Sequence, residues 1–100
     1  MPFNQLIPRP FTTDGVQMYA PIASGVYGIS NSREWIFIGE TADIQGALLA
    51  HVQETHAAVM KHNPTGFVFE VCDQSRRPSR QDRLVFEYGP ACNRQASRYS

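Results

Sequence analysis

Residues 24–41, SGVYGISNSREWIFIGET, place two short apolar runs on either side of a polar turn. Residues 25–30 (GVYGIS) and 34–39 (EWIFIG) are rich in β-branched and aromatic side chains, which suit a pleated, half-buried surface. Asn31, Ser32 and Arg33 between them supply turn chemistry, and Gly39, Glu40 and Thr41 close the second run. The stretch predicts a β-hairpin. Trp35 and Phe37 alternate with Ile36 and Ile38, which predicts one aromatic face and apolar character on both faces. Burial in the core is the plain reading of those two rings, and stacking on bases is the sharper one.

Downstream of the hairpin, Thr41 or Asp43 can cap a helix by accepting a hydrogen bond from a free first-turn N–H. Ile44, Leu48, Val52 and Val59 recur at helical spacing, with Ala47, Thr55 and Ala58 nearby, and predict a helix reaching about His62 with one stripe laid on the sheet. Gly46 inside it costs about 1 kcal/mol relative to alanine, and close approach to the hairpin is the expected reason. Asn63-Pro64-Thr65-Gly66 ends that helix, and 67–71 reads as a third strand. From Ser79 to Tyr88 the pattern is helical again, with Pro78 in its first turn, Gly89-Pro90 as its stop, and Leu84, Val85 and Tyr88 turned to the sheet.

Upstream, Pro2, Pro8, Pro10 and Pro21 predict an extended lead-in over 1–23, with a short strand at Val16–Ala20 after the Asp14-Gly15 turn. Residues 94–100 are polar and expected to fray. The domain proper is therefore 24–93.

One hundred residues allow a single core. With 42% hydrophobic and 18% charged residues the chain reads as globular and not disordered. Nine basic and nine acidic residues cancel, so any attraction to phosphate must be local. The sequence contains neither a run long enough to span a membrane nor a secretory pattern at MPFNQLIPRP, and the expected location is cytoplasmic. Cys72 and Cys92 lack metal or redox spacing and are expected to be buried thiols.

The hairpin residues carry a resemblance. Gly25-Val26-Tyr27, nine residues, then Phe37-Ile38-Gly39 with Glu40-Thr41 and an amphipathic segment behind them resemble the GIY-YIG nuclease domain. Leu84-Val85 followed by Tyr88, Pro90 and Asn93 is similar to that family's closing pattern, and the likeness covers 24–93. It implies a small α/β (α+β) domain with a mainly antiparallel three-stranded central sheet flanked by helices. It also implies phosphodiester hydrolysis by two tyrosines, a helix arginine and a glutamate that holds one divalent metal. A metal and an arginine stabilise charge on the phosphate while a base takes the proton of water.

Position by position, Tyr27 matches the first tyrosine, with a half-buried strand aromatic as its plain reading. Phe37 stands at the second, keeping the ring and losing the hydroxyl. The arginine position, eight residues after Gly39, is Ala47, and the glutamate position is Gln81, whose amide is a poor replacement for a carboxylate on Mg²⁺. Asp82 is adjacent but turned about 100° away on a helix. Asn93 and the glycines are kept.

His51 lies one turn beyond Ala47 and shares a face with Glu54; it is either a site residue or a helix-flanking histidine. His51, His56 and His62 do not form an i, i+4 metal pair. Arg76, Arg77, Arg80 and Arg83 crowd four basic residues into eight positions: a phosphate-tracking edge, or a solvated face paired with Asp73 or Glu87.

Three functions stay open. The first is a GIY-YIG-like domain with a degenerate site, which needs no cofactor and binds DNA or RNA through those arginines and the former groove. The second is a structure-specific endonuclease dependent on Mg²⁺ or Mn²⁺, with Tyr27 as base and Gln81 or Asp82 near the metal. The third is a protein-interaction module whose N-terminal strand or exposed sheet edge pairs with a partner or, as a homodimer, with itself.

Overall fold

The computed structural model describes Phe3, residues 7–53 and residues 57–93. The expectations placed on Pro2, Glu54, Thr55, His56, the Ala58 side chain and the 94–100 tail lie outside the described residues.

Among the described residues the elements follow in the order β1 (Arg9–Pro10), α1 (Thr13–Tyr19), β2 (Gly25–Ser30), β3 (Trp35–Thr41), α2 (Ile44–Gln53), α3 (Ala57–Met60), β4 (Gly66–Val71) and α4 (Arg77–Tyr88). The sheet is antiparallel throughout, in the order β1-β4-β2-β3. It has four strands, where the sequence predicted three. The extra strand comes from the lead-in, whose Arg9 and Pro10 pair with Phe67 and Gly66 at an outer edge, a place where proline is tolerated.

The hairpin forms as expected, with Tyr27 opposite Gly39 and Ile29 opposite Phe37. An irregularity between Ile29 and Ser30 then shifts the register, so that Ser30 pairs with Trp35. The expectation of a single aromatic face fails for that reason. Phe37 packs with the cluster under α1 and α2, and Trp35 packs with the one under α4, beside Phe3 and Tyr88.

A strand at Val16–Ala20 and a fully extended lead-in are also corrected. Residues 13–19 are helical because Pro10 and Pro21 flank the segment instead of interrupting it, and because Thr12 Oγ1 accepts from Gly15 N at 2.9 Å. α1 packs against α2 on one face of the sheet. There Val16, Ile29, Ile36, Ile44, Leu48 and Phe67 are completely buried.

Asp43 caps α2 by accepting from Gly46 N at 3.0 Å, while Thr41 Oγ1 accepts from Asp43 N. A side chain at Gly46 would meet the Asp43 carboxylate at 2.5 Å, so this glycine makes room for the cap and not for the hairpin. The described helix stops at Gln53, resumes at 57–60, and turns at Asn63, whose φ is 54°.

On the opposite face lies α4, which begins two residues earlier than expected and ends on left-handed Gly89, whose N–H donates to Val85 O at 2.8 Å. Leu84 is fully buried against Val26, Ile38 and Val68, with Val85 and Tyr88 beside it. Cys72 and Cys92 are half-buried, where burial was expected. Among the described residues no helix is long and apolar enough to cross a membrane.

Candidate functional site at the hairpin edge

Tyr27 points from the central strand toward α2, and its hydroxyl shares a 3.0 Å hydrogen bond with His51 Nε2. The phenol fits because its cross-strand neighbour is Gly39. A β-carbon there would stand 2.7 Å from Tyr27 Oη and 2.8 Å from Phe37 Cε2. Phe37 completes a group of three rings, 6.0 Å from Tyr27 and 5.2 Å from His51 between centroids. Ala47 packs against the same cluster. Tyr27, Phe37, Ala47 and His51, four positions separated in sequence, are thus gathered at one place.

Burial pushes the Tyr27 phenol well above its ordinary value of 10.0, so it is protonated at neutral pH. Phenylalanine at position 37 offers no second hydroxyl. α2 carries alanine one turn before His51, and the described part of that helix contains no arginine.

Gln81 approaches β3 from the other face. Its Nε2 donates to Ile38 O at 3.1 Å, one residue before Gly39. Asn93 reaches the same residue: its Oδ1 accepts from Ile38 N at 2.6 Å and its Nδ2 donates to Ile38 O at 2.8 Å. The two side chains bind the outward edge of β3 as a neighbouring strand would. Asp82 is exposed to solvent.

The arginines divide into two pairs. Arg77 Nε donates to Glu40 Oε1 at 2.9 Å and its Nη1 to Ser24 Oγ at 3.1 Å. Arg80 grips Glu70 through Nε and Nη2, both at 2.8 Å, with 15% of each side chain exposed. Glu40 and Glu70 flank Val26 on the two neighbouring strands, so α4 is joined to the sheet by two ion pairs. The hydrogen bonds to Glu70 raise the Arg80 pKa further and hold its charge. Of the expected partners, Asp73 accepts from Ser75 Oγ and Arg76 N, and Glu87 is a further negative charge acting on Arg80. Arg76 and Arg83 remain exposed.

The sequence reading missed Glu40, Glu70 and the clamp made by Asn93. The charged residues were visible, but that both glutamates flank Val26 is a fact of register, which no local pattern carries.

A four-stranded antiparallel sheet between a helical layer and α4, with Tyr27 and Gly39 paired on its hairpin, defines a GIY-YIG-like fold. The solved structures it matches are of the GIY-YIG N-terminal endonuclease domain of UvrC from Thermotoga maritima. The magnesium-bound form aligns at TM-score 0.66 and 18% identity over 76% of this chain and 92% of that one. Two tyrosine-to-phenylalanine point mutants, each bound to its catalytic divalent cation, align at 0.66 and 0.65 with 20% and 18% identity, again over 76% of this chain and 92% and 91% of theirs. At these identities the likeness is one of fold. No protein-family model and no curated protein sequence matches the chain.

The residue at the glutamate position does not fit a catalytic divalent cation. Gln81 is neutral and its amide already donates to a backbone carbonyl, which leaves one uncharged oxygen for a hard cation that prefers carboxylates.

Proposed function

We propose that this domain keeps a nuclease frame without its hydrolytic chemistry and works by binding nucleic acid. The observation that carries the reading is Gln81 tied to Ile38 at the position where the resemblance calls for a metal-holding glutamate. Ala47, Phe37 and the protonated, buried phenol of Tyr27 support it, since those three positions supply no guanidinium, no second hydroxyl and no ionised phenolate.

Exposed Arg76 and Arg83 meet phosphate first. Arg77 and Arg80, held by Glu40 and Glu70, add positive field with fewer free donors. Binding of this kind is weak and steeply dependent on salt.

The test joins a cleavage assay on linear, single-stranded and branched DNA, with Mg²⁺ or Mn²⁺, to fluorescence anisotropy across a salt series. The expected result is no nicking, with affinity that falls as salt rises and is lost in the double variant Arg76→Glu/Arg83→Glu. Affinity that ignores salt overturns the nucleic-acid reading.

One observation favours a second reading, a metal-dependent endonuclease. The 3.0 Å contact between Tyr27 Oη and His51 Nε2 is a phenol–imidazole pair through which a proton could pass. Cleavage that disappears with chelator and in Tyr27→Phe would establish it in place of the first.

A further inference from the structure

We infer that the outward face of α4 reads single-stranded nucleic acid by stacking an unpaired base on Phe86, with preference for bases that carry an exocyclic amine, an inference that rests on the nucleic-acid reading above and narrows it. Phe86 is 91% exposed, the highest value of any large apolar side chain among the described residues. Two helical steps carry it about 200° round from Leu84, which is fully buried against the sheet, so its ring adds nothing to the core. Among the described residues it lines an open cleft with Asp82, Arg83 and Glu87.

The two flanks of the ring differ in charge. At about 100° per residue, Asp82 lies about 40° to one side of Phe86, while Arg83 and Arg76 lie about 60° and 80° to the other. Arg76 has right-handed helical backbone angles, φ -101° and ψ -15°, so the same count applies to it. All four side chains are exposed. A nucleotide has the same polarity, with a phosphate at one end and the hydrogen-bonding edge of a base at the other. Laid on the ring, it turns its phosphate to Arg83 and Arg76 and its base edge to Asp82.

Each of these contacts selects. Bases within a duplex are already stacked on both faces and paired at their edges, so only an unpaired base can use an exposed ring. Adenine, cytosine and guanine carry an amine that donates to a carboxylate, whereas thymine and uracil present only carbonyl oxygens in its place. Asp82 therefore favours the first three, and its charge keeps the phosphates on the arginine side. Glu87, one turn beyond Arg83, puts a negative charge at the C-terminal end of that track, so the strand runs from Phe86 toward Arg76.

Fluorescence anisotropy of the full chain at low salt tests it, with labelled oligo(dC), oligo(dA) and oligo(dT) and a duplex of the same length as probes. The dC and dA strands are expected to bind about tenfold more tightly than the duplex, and more tightly than dT. Phe86→Ala should weaken single-strand binding about tenfold and leave duplex binding unchanged, whereas Phe86→Trp, which keeps a stacking face, should retain both. Asp82→Ala removes an acceptor and a negative charge together, so its readout is the ratio of dC to dT affinity, which should fall toward one. Both positions are exposed, and the fold is expected to tolerate these changes. A duplex bound as tightly as the single strands overturns the inference, as does single-strand binding that Phe86→Ala leaves unchanged. In either case, affinity that still falls with salt and in Arg76→Glu/Arg83→Glu leaves the nucleic-acid reading standing. A dC to dT ratio that Asp82→Ala leaves intact overturns the part assigned to Asp82, and no binding to any of the four probes overturns both the inference and the reading beneath it.

Discussion

The two sides of the sheet treat their unpaired backbone differently. On the β3 side, Ile38 turns both its N–H and its C=O away from β2, and Asn93 and Gln81 meet them with three side-chain hydrogen bonds. On the β4 side, a two-residue strand covers Gly66 and Phe67, and among the described residues no strand lies beside Phe69 and Val71. The contrast shows that an edge strand can be closed without another strand, by amide side chains that copy a peptide's donor and acceptor. It also shows where such closure was applied: beside Gly39 and Tyr27, at the candidate site, and not at the far edge.

Substitutions can break or sharpen this contrast. The largest effect is expected from Asn93→Ala, which leaves a buried N–H at Ile38 without a partner. A loss of about 3 kcal/mol should appear in urea unfolding, together with faster amide exchange at Ile38. Gly39→Ala comes next. Its β-carbon would press on Tyr27 and Phe37, and about 2 kcal/mol of overpacking is expected, together with loss of the Tyr27–His51 hydrogen bond. Gln81→Ala should cost only about 1 kcal/mol, because Ile38 O keeps its bond from Asn93. A thermal melt in which Mg²⁺ stabilises the unmodified chain but not Gln81→Ala would reassign Gln81 from edge closure to cation binding.

The smallest effect is confined to alkaline pH. Tyr27 has its pKa raised on folding, so the folded state keeps a proton that the unfolded chain releases above about pH 10. The associated stability is present below that pH and declines as pH rises past it. In Tyr27→Phe the decline should be shallower by the contribution of one phenol, as read by unfolding at paired pH values.

Much of the fold was legible because its signals are local. The hairpin at 25–41, the cap at Asp43, the stripe of Ile44 and Leu48, and the Gly89 stop each depend on residues a few positions apart. α1 was missed because proline density was read across 1–23 as a whole. Prolines at 10 and 21 leave room for seven helical residues between them, and Thr12 was the available sign. β1 is two residues long and exists only by its pairing with β4, so no periodicity could announce it.

The candidate site was half legible for the same reason. The resemblance led to Tyr27, Phe37, Ala47, His51 and Gln81 by counting. What Gln81 does depends on Ile38, a contact between residues 43 positions apart. The partners of Arg77 and Arg80 are likewise set by sheet register.

Asn93 follows Ile38 by 55 positions. On a ribosome adding 5–20 residues per second, that interval is roughly 3 to 11 s. Until Gln81 is made, 43 positions on, neither side chain that meets Ile38 exists, and until Asn93 is made the Ile38 N–H on the β3 edge still lacks its acceptor. Translation speed over residues 42–93 therefore sets how long this strand is available to the wrong partner, and synonymous codons that slow that stretch should increase aggregation without altering the finished molecule.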